Sequence, residues 1–164
     1  MRYVCTLPSP LGTLTLRSDG EAITALTPPI WRRRPEETGE VADLPIFRRT
    51  AEWLEKYFTG TDPGPIPSIR PCGTPYQLRV WATLVRIPIG VSVTYGDIAR
   101  MLNTAELPPS SPRAVGGAVG RNPIAILIPC HRVLGAGGAL TGFGGGMDAK
   151  RFLLELEGIP YRKA

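Results

Sequence analysis

The chain has 164 residues, 43% of them hydrophobic, and a net charge of +5, which suits one domain or two small ones sharing a core. No stretch nears the roughly twenty apolar residues of a membrane span, and the opening MRYVCTLPSPLGTL lacks the basic-then-apolar pattern of a secretory signal. Three widely spaced cysteines and a single histidine make neither a disulfide framework nor the usual metal ligand set, so the expectation is a cytoplasmic protein with free thiols and no metal.

In chain order, SPLGTLTLRSDGEAITALT alternates apolar and polar residues around Ser18-Asp19-Gly20, which predicts a β-hairpin. WRRRPEETGEVADLP is polar and broken by Pro and Gly, so Trp31–Glu37 reads as a solvated loop. PIFRRTAEWLEKYFTG sets Phe47, Ala51, Leu54 and Phe58 at helical spacing, with Gly60 as a stop. TDPGPIPSIRPCG carries four prolines and reads as a linker. The expected boundary therefore falls between residues 1–72 and 73–164.

The second part reads as mostly helical. Thr74 and Pro75 open a helix whose inward stripe is Leu78, Trp81, Leu84 and Val85. Thr94 followed by Asp97 resembles a capping box. SSPRAVGGAVGRNP pairs a Ser cap with a first-turn Pro. These two helices, joined by NTAELPP, suggest a helix-turn-helix with a long turn. IAILIPC predicts a short buried strand ending at Cys130, and MDAKRFLLELEG a helix closed by Gly158.

Three features carry chemistry. The 73–164 part has ten basic and five acidic residues and so holds the whole charge excess. That reads equally as a polyanion surface or as plain solubility. Arg113, Ala114, Gly116, Gly117, Ala118 and Gly120 form a small-residue helix face. Each glycine costs about 0.5–1 kcal/mol against alanine, so the face needs a reason: tight helix packing or close approach to a sugar-phosphate backbone. Cys130 stands beside His131, the only histidine. A reactive thiol there needs a base, and the imidazole needs an acceptor such as Glu155 or Glu157. Taken alone, the dipeptide fits a buried structural cysteine beside an incidental histidine better.

Taken together, PCHRV at Pro129–Val133, RAVGGAVGRNP at Arg113–Pro123, GTPYQLRVW at Gly73–Trp81, VTYGDIA at Val93–Ala99 and LLELEG at Leu153–Gly158 resemble the O6-alkylguanine–DNA alkyltransferases, the methylated-DNA–protein-cysteine methyltransferases. The resemblance is dense over 73–158 and looser before it. It implies an α/β protein: a small ribonuclease H-like sheet domain, then a mostly helical domain with a helix-turn-helix. It also implies a monomer acting once on double-stranded DNA that contains O6-alkylguanine, with O4-alkylthymine a further candidate and no cofactor. Cooperativity on DNA stays open.

Carried over to this chain, the resemblance makes Cys130 the alkyl acceptor. His131 takes its proton through a water, Glu157 orients the imidazole, and Asn122 holds the turn near the cysteine. Tyr95 meets the flipped guanine at N3, and the Cys130 and Val133 carbonyls accept from its exocyclic amine. Phe143 and Gly144 wall the base pocket. Arg113 fills the gap in the stack, while Ala114, Gly116, Gly117, Ala118, Gly120 and Arg121 lie along the minor groove. This chain departs from the family's pattern at Phe143, where an aromatic with a hydroxyl is common, at Gly144, and in the long linker before Pro112-Arg113. Two other readings remain: a lesion-binding protein that does not react, and a cysteine hydrolase, which usually draws its Cys and His from distant positions.

Overall fold

A computed structural model describes residues 2–29, 39–103, 110–141 and 146–163. The Trp31–Glu37 loop, most of the helix linker, Phe143 and Gly144 lie outside them. The protein is mixed α/β, with a small sheet in one portion and mostly helix in the other. It divides into two compact units, Met1–Cys72 with Pro123–Leu127, and Gly73–Asn122 with Ile128–Ala164. No helix among the described residues is long and apolar enough to cross a membrane.

The first unit holds a four-stranded sheet of β1 (Tyr3–Leu7), β2 (Leu14–Ser18), β3 (Ile23–Thr27) and β4 (Glu40–Val41), in the order β3-β2-β1-β4. The expected hairpin is β2–β3. Its turn is locked by Asp19, whose carboxylate accepts the backbone N–H of Glu21 and Ala22, and by Gly20 at φ +108°. Strands β1 and β4 were not expected; β1 is antiparallel to β2 and parallel to the two-residue β4.

Helix α1 (Pro45–Phe58) packs against β2. It buries Ile46, Phe47, Thr50, Trp53, Leu54 and Tyr57. Ala51 and Phe58 of the expected stripe are only half-buried, because the aromatic pair Trp53 and Tyr57 takes the inward face. The stop is as expected. Thr61 N–H reaches Lys56 O at 2.9 Å and Gly60 N–H reaches Tyr57 O at 3.2 Å, with Gly60 at φ +77°, a Schellman closure.

In the second unit, α2 (Pro75–Val85), α3 (Tyr95–Leu102) and α4 (Pro112–Val119) pack on one another. Thr74 with Gln77 and Thr94 with Asp97 form complete capping boxes, and the Ser111 hydroxyl caps α4. The core is Val80, Trp81 and Leu84 of α2, Ile98 and Leu102 of α3, and Val115 and Val119 of α4. Leu78, expected inward, is 39% exposed; Val80 holds its place. Trp81 Nε1–H donates to Ala118 O at 2.9 Å.

A Cβ on Gly73 would lie 2.6 Å from the Trp81 ring. Gly73→Ala should therefore cost about 1–3 kcal/mol by overpacking, read as a lower urea midpoint at unchanged slope. A midpoint equal to the parent's would mean the ring has room to move.

The expected strand over Ile124–Cys130 does not form. Ile124 makes one bridge to Leu26 in the first unit. Ile126 then turns to φ +70°, and Leu127 N–H bonds Ala125 O at 2.7 Å, a strained γ-turn for a β-branched residue. Pro129 follows at φ −80° and ψ 64°, with Cys130 N–H on Ile128 O at 2.8 Å, a second, inverse γ-turn. Two such reversals and a proline without an N–H preclude a ladder. Pairing falls to the next residues. β6 (Val133–Leu134) lies parallel to β5 (Val93–Thr94).

Candidate active site at Cys130

The turns deliver Cys130, His131 and Arg132 as one buried 3₁₀ turn. On a strand Cys130 and His131 would face apart; here both face the interior, at 2% and 0% exposure. Asn122, just past α4, donates from Nδ2 to Ile128 O at 2.8 Å and also hydrogen-bonds the Cys130 thiol. It ties the end of α4 to the turn that presents the sulfur.

Of the two acids considered, the structure brings in Glu157. His131 Nε2 lies 2.5 Å from Glu157 Oε2. Glu155 accepts instead from Tyr161 O–H at 2.9 Å. Glu157 is the residue after α5 (Met147–Leu156). It also accepts from Arg132 Nε at 2.7 Å and Nη2 at 3.1 Å, and from Gly90 N–H at 3.0 Å. With the carboxylate on Nε2, the ring proton sits there and Nδ1 is the lone-pair nitrogen.

Burial pushes the Cys130 thiol up to about 11, against the Asn122 hydrogen bond, the Lys150 charge and two backbone N–H groups that favour thiolate. Burial likewise holds His131 below its ordinary value, against Glu157. The resting pair is therefore a thiol beside a neutral imidazole, not a preformed ion pair. Sulfur becomes a strong nucleophile only when its proton is taken at the moment of reaction.

Tyr95 opens α3 directly after β5, so the β5–β6 pairing brings it to the Cys130 turn. Its hydroxyl accepts from Thr141 Oγ1 at 3.2 Å, and burial raises its pKa, keeping it a proton donor. The Cys130 carbonyl accepts Val133 N–H, and the Val133 carbonyl accepts Lys150 Nζ at 2.7 Å. Each oxygen keeps a second lone pair.

On α4, Arg113, Ala114, Gly117 and Gly120 are exposed, as is Arg121 beyond it. No described atom lies within 4 Å of a Cβ built on Gly117. Helix packing therefore does not require that glycine. The Tyr95 ring lies 3.8 Å from a Cβ on Gly116, ordinary contact. Ala118, expected on the small-residue surface, is instead 5% exposed and faces the core, because its turn of α4 packs on Trp81.

Three residues beside the site had no assigned role in the sequence reading: Lys150, Arg132 and Thr141. Lys150 was legible, since it shares helical spacing with Leu153 and Leu154 on the buried face of α5. Nothing local to Arg132 or Thr141 distinguishes them.

Residues 75–159 match the family model described as 6-O-methylguanine DNA methyltransferase, DNA binding domain. The chain is 44% identical to a methylated-DNA–protein-cysteine methyltransferase of Haemophilus influenzae, over 97% of this chain and 88% of that protein. A protein of the same name from Mycobacterium tuberculosis is 43% identical over 96% and 93%. Among solved structures, M. tuberculosis OGT in complex with DNA superposes with a TM-score of 0.86 at 41% identity, covering 95% of this chain and 93% of that one. An O6-methylguanine DNA methyltransferase from Methanococcus jannaschii gives 0.66 at 31%, covering 96% and 95%.

Proposed function

The chain belongs to the methylated-DNA–protein-cysteine methyltransferase family, and on that premise we propose that it repairs O6-alkylguanine in double-stranded DNA by moving the alkyl group once and irreversibly onto Cys130. The observation that carries the assignment is the buried Cys130 turn, with Asn122 on its thiol and His131 backed by Glu157.

The reaction is in-line displacement. Cys130 Sγ forms a bond to the alkyl carbon as the carbon–O6 bond breaks. The thiol proton passes to His131 through a water, and Glu157 stabilises the imidazolium. The bond's electrons go to guanine, which takes a proton or hydrogen bond from Tyr95 at N3 and becomes a better leaving group. A thioether has no built-in hydrolysis route, which accounts for a single turnover without a cofactor.

The target oxygen lies inside the duplex, so the base must be extruded at a cost of a few kcal/mol. We assign α3 and α4 as a helix-turn-helix whose Gly117 surface nears the minor-groove backbone, with Arg113 filling the vacated stack. The first unit is the ribonuclease H-like scaffold of the family. The protein acts as a monomer on chromosomal DNA in the cytoplasm.

Arg113→Ala should slow repair of duplex DNA about tenfold or more and leave reaction with free O6-benzylguanine near the parent rate. Equal losses on both substrates would remove the wedge role. The founding test is intact-protein mass spectrometry after incubation with a duplex containing O6-methylguanine, beside Cys130→Ser. One methyl per molecule, mapped to Cys130 and absent in the variant, is expected. A bound duplex with no mass gain would leave a lesion-binding protein.

A further inference from the structure

Glu157 carries more donors than His131 needs. Its side chain is 1% exposed, yet Arg132 lays a fork across both oxygens, Nε on Oε1 at 2.7 Å and Nη2 on Oε2 at 3.1 Å. The oxygen facing the imidazole, Oε2, is thus shared between His131 and Arg132. Arg132 is itself buried and held by a third bond, Nη1 to Ile87 O at 2.7 Å. A guanidinium in a fork this constrained fixes the plane of the carboxylate.

The fork also decides charge. A buried carboxylate with imidazole as its main partner favours the imidazolium. Here Arg132 already supplies the balancing positive charge, from the residue adjacent to His131. A second cation beside it would have only a shared counterion.

We propose that Arg132 is a positioning residue for alkyl transfer: its fork across Glu157 aims Oε2 at His131 Nε2 and keeps the resting imidazole uncharged, ready to receive the Cys130 proton. This rests on the reading of His131 as the proton acceptor.

Among the described residues, the charged groups that act on His131 are Arg132 in its own turn, Lys150 on α5, and Glu157 just after that helix, while its backbone N–H meets the Cys130 thiol. Tyr95 on α3 faces the thiol. Burial lowers the His131 pKa most, Glu157 opposes it, and Arg132 and Lys150 act in the direction of burial.

His131 is the only histidine, so one set of imidazole signals reports its protonation. The experiment is an NMR pH titration of ring-labelled protein in three forms: unaltered, Arg132→Gln, and Arg132→Gln with Glu157→Gln. It runs beside single-turnover methyl transfer from a duplex carrying O6-methylguanine, from about pH 5.5 to about 9.5. In Arg132→Gln, His131 should titrate at least about one pH unit higher. Transfer should then fall about tenfold on the acid side and recover toward alkaline pH. Removing the carboxylate as well should bring the titration back down.

A rate loss of the same factor at every pH, with the titration unmoved, would make Arg132 a structural ion pair and overturn the inference. So would an imidazolium at neutral pH in the unaltered protein, a result available even if the variants do not fold. No methyl transfer by the unaltered protein would remove the function and this role together. A methylated parent with an unmoved variant titration would remove only the role of Arg132.

Discussion

Glu157→Ala should all but abolish alkyl transfer and also destabilise the fold. The carboxylate receives His131, Arg132 and Gly90 in a site closed to solvent. Without it, His131 loses the acceptor that fixes its tautomer and steadies the imidazolium. General-base catalysis contributes about 10²–10⁴-fold, and a drop of that order is expected in single-turnover transfer. Arg132, at 6% side-chain exposure, would keep its charge without a counterion; breaking a buried pair from one side costs about 3–5 kcal/mol. Both effects are read on one preparation, by mass spectrometry and by urea unfolding. A variant that folds and transfers at the parent rate would detach Glu157 from the reaction. Should the alanine variant fail to fold, Glu157→Gln preserves the shape and isolates the chemistry.

Lys150→Met should separate activity from stability. Lys150 is 1% exposed, donates to Val133 O at 2.7 Å, and its charge favours the Cys130 thiolate. Losing that charge leaves the thiol harder to ionise, and transfer should slow about ten- to a hundredfold. Stability should hardly move at neutral pH, because two terms oppose. Burial lowers the Lys150 pKa from 10.5 to about 8, a penalty on the order of 3 kcal/mol that methionine removes. The stranded Val133 carbonyl costs about 1–3 kcal/mol.

The sign with pH follows. Below about pH 8 folded and unfolded chains both carry the Lys150 proton and the penalty is constant. Between about 8 and 10.5 the unfolded chain binds more protons, so this group's contribution to stability rises with pH. The difference in unfolding free energy, parent minus Lys150→Met, should climb across that window. A flat difference would mean the ammonium is already solvated, and an unchanged transfer rate would remove its effect on the thiol.

The sequence by itself determined the helix ends and the hairpin turn. Cap residues at Thr74, Thr94 and Ser111, first-turn prolines, the Gly60 stop and the Ser18-Asp19-Gly20 turn satisfy backbone groups within a few residues, so a short window suffices to read them. Cys130 beside His131 was visible as a pair, and the dense motifs around it pointed to the family. Tertiary structure decided whatever depends on partners far along the chain. The apolar run before Cys130 reads as a short buried strand on composition alone. Ile126 at φ +70° and the lack of a neighbouring ladder made it a turn, which points the thiol and imidazole inward together. Strand β1 forms on the edge that β2 offers, and the two-residue β4 on the edge of β1, so neither shows as a local pattern. Ala118 and Leu78 had the right spacing for faces they do not occupy: packing on Trp81 draws Ala118 into the core, and Val80 takes the buried position expected of Leu78. The choice of Glu157 over Glu155, and the Arg132 fork on it, arose where the end of α5 meets the Cys130 turn, 25 residues away. Hydrogen-bond geometry at that distance is set by packing, and no periodicity in the chain encodes it.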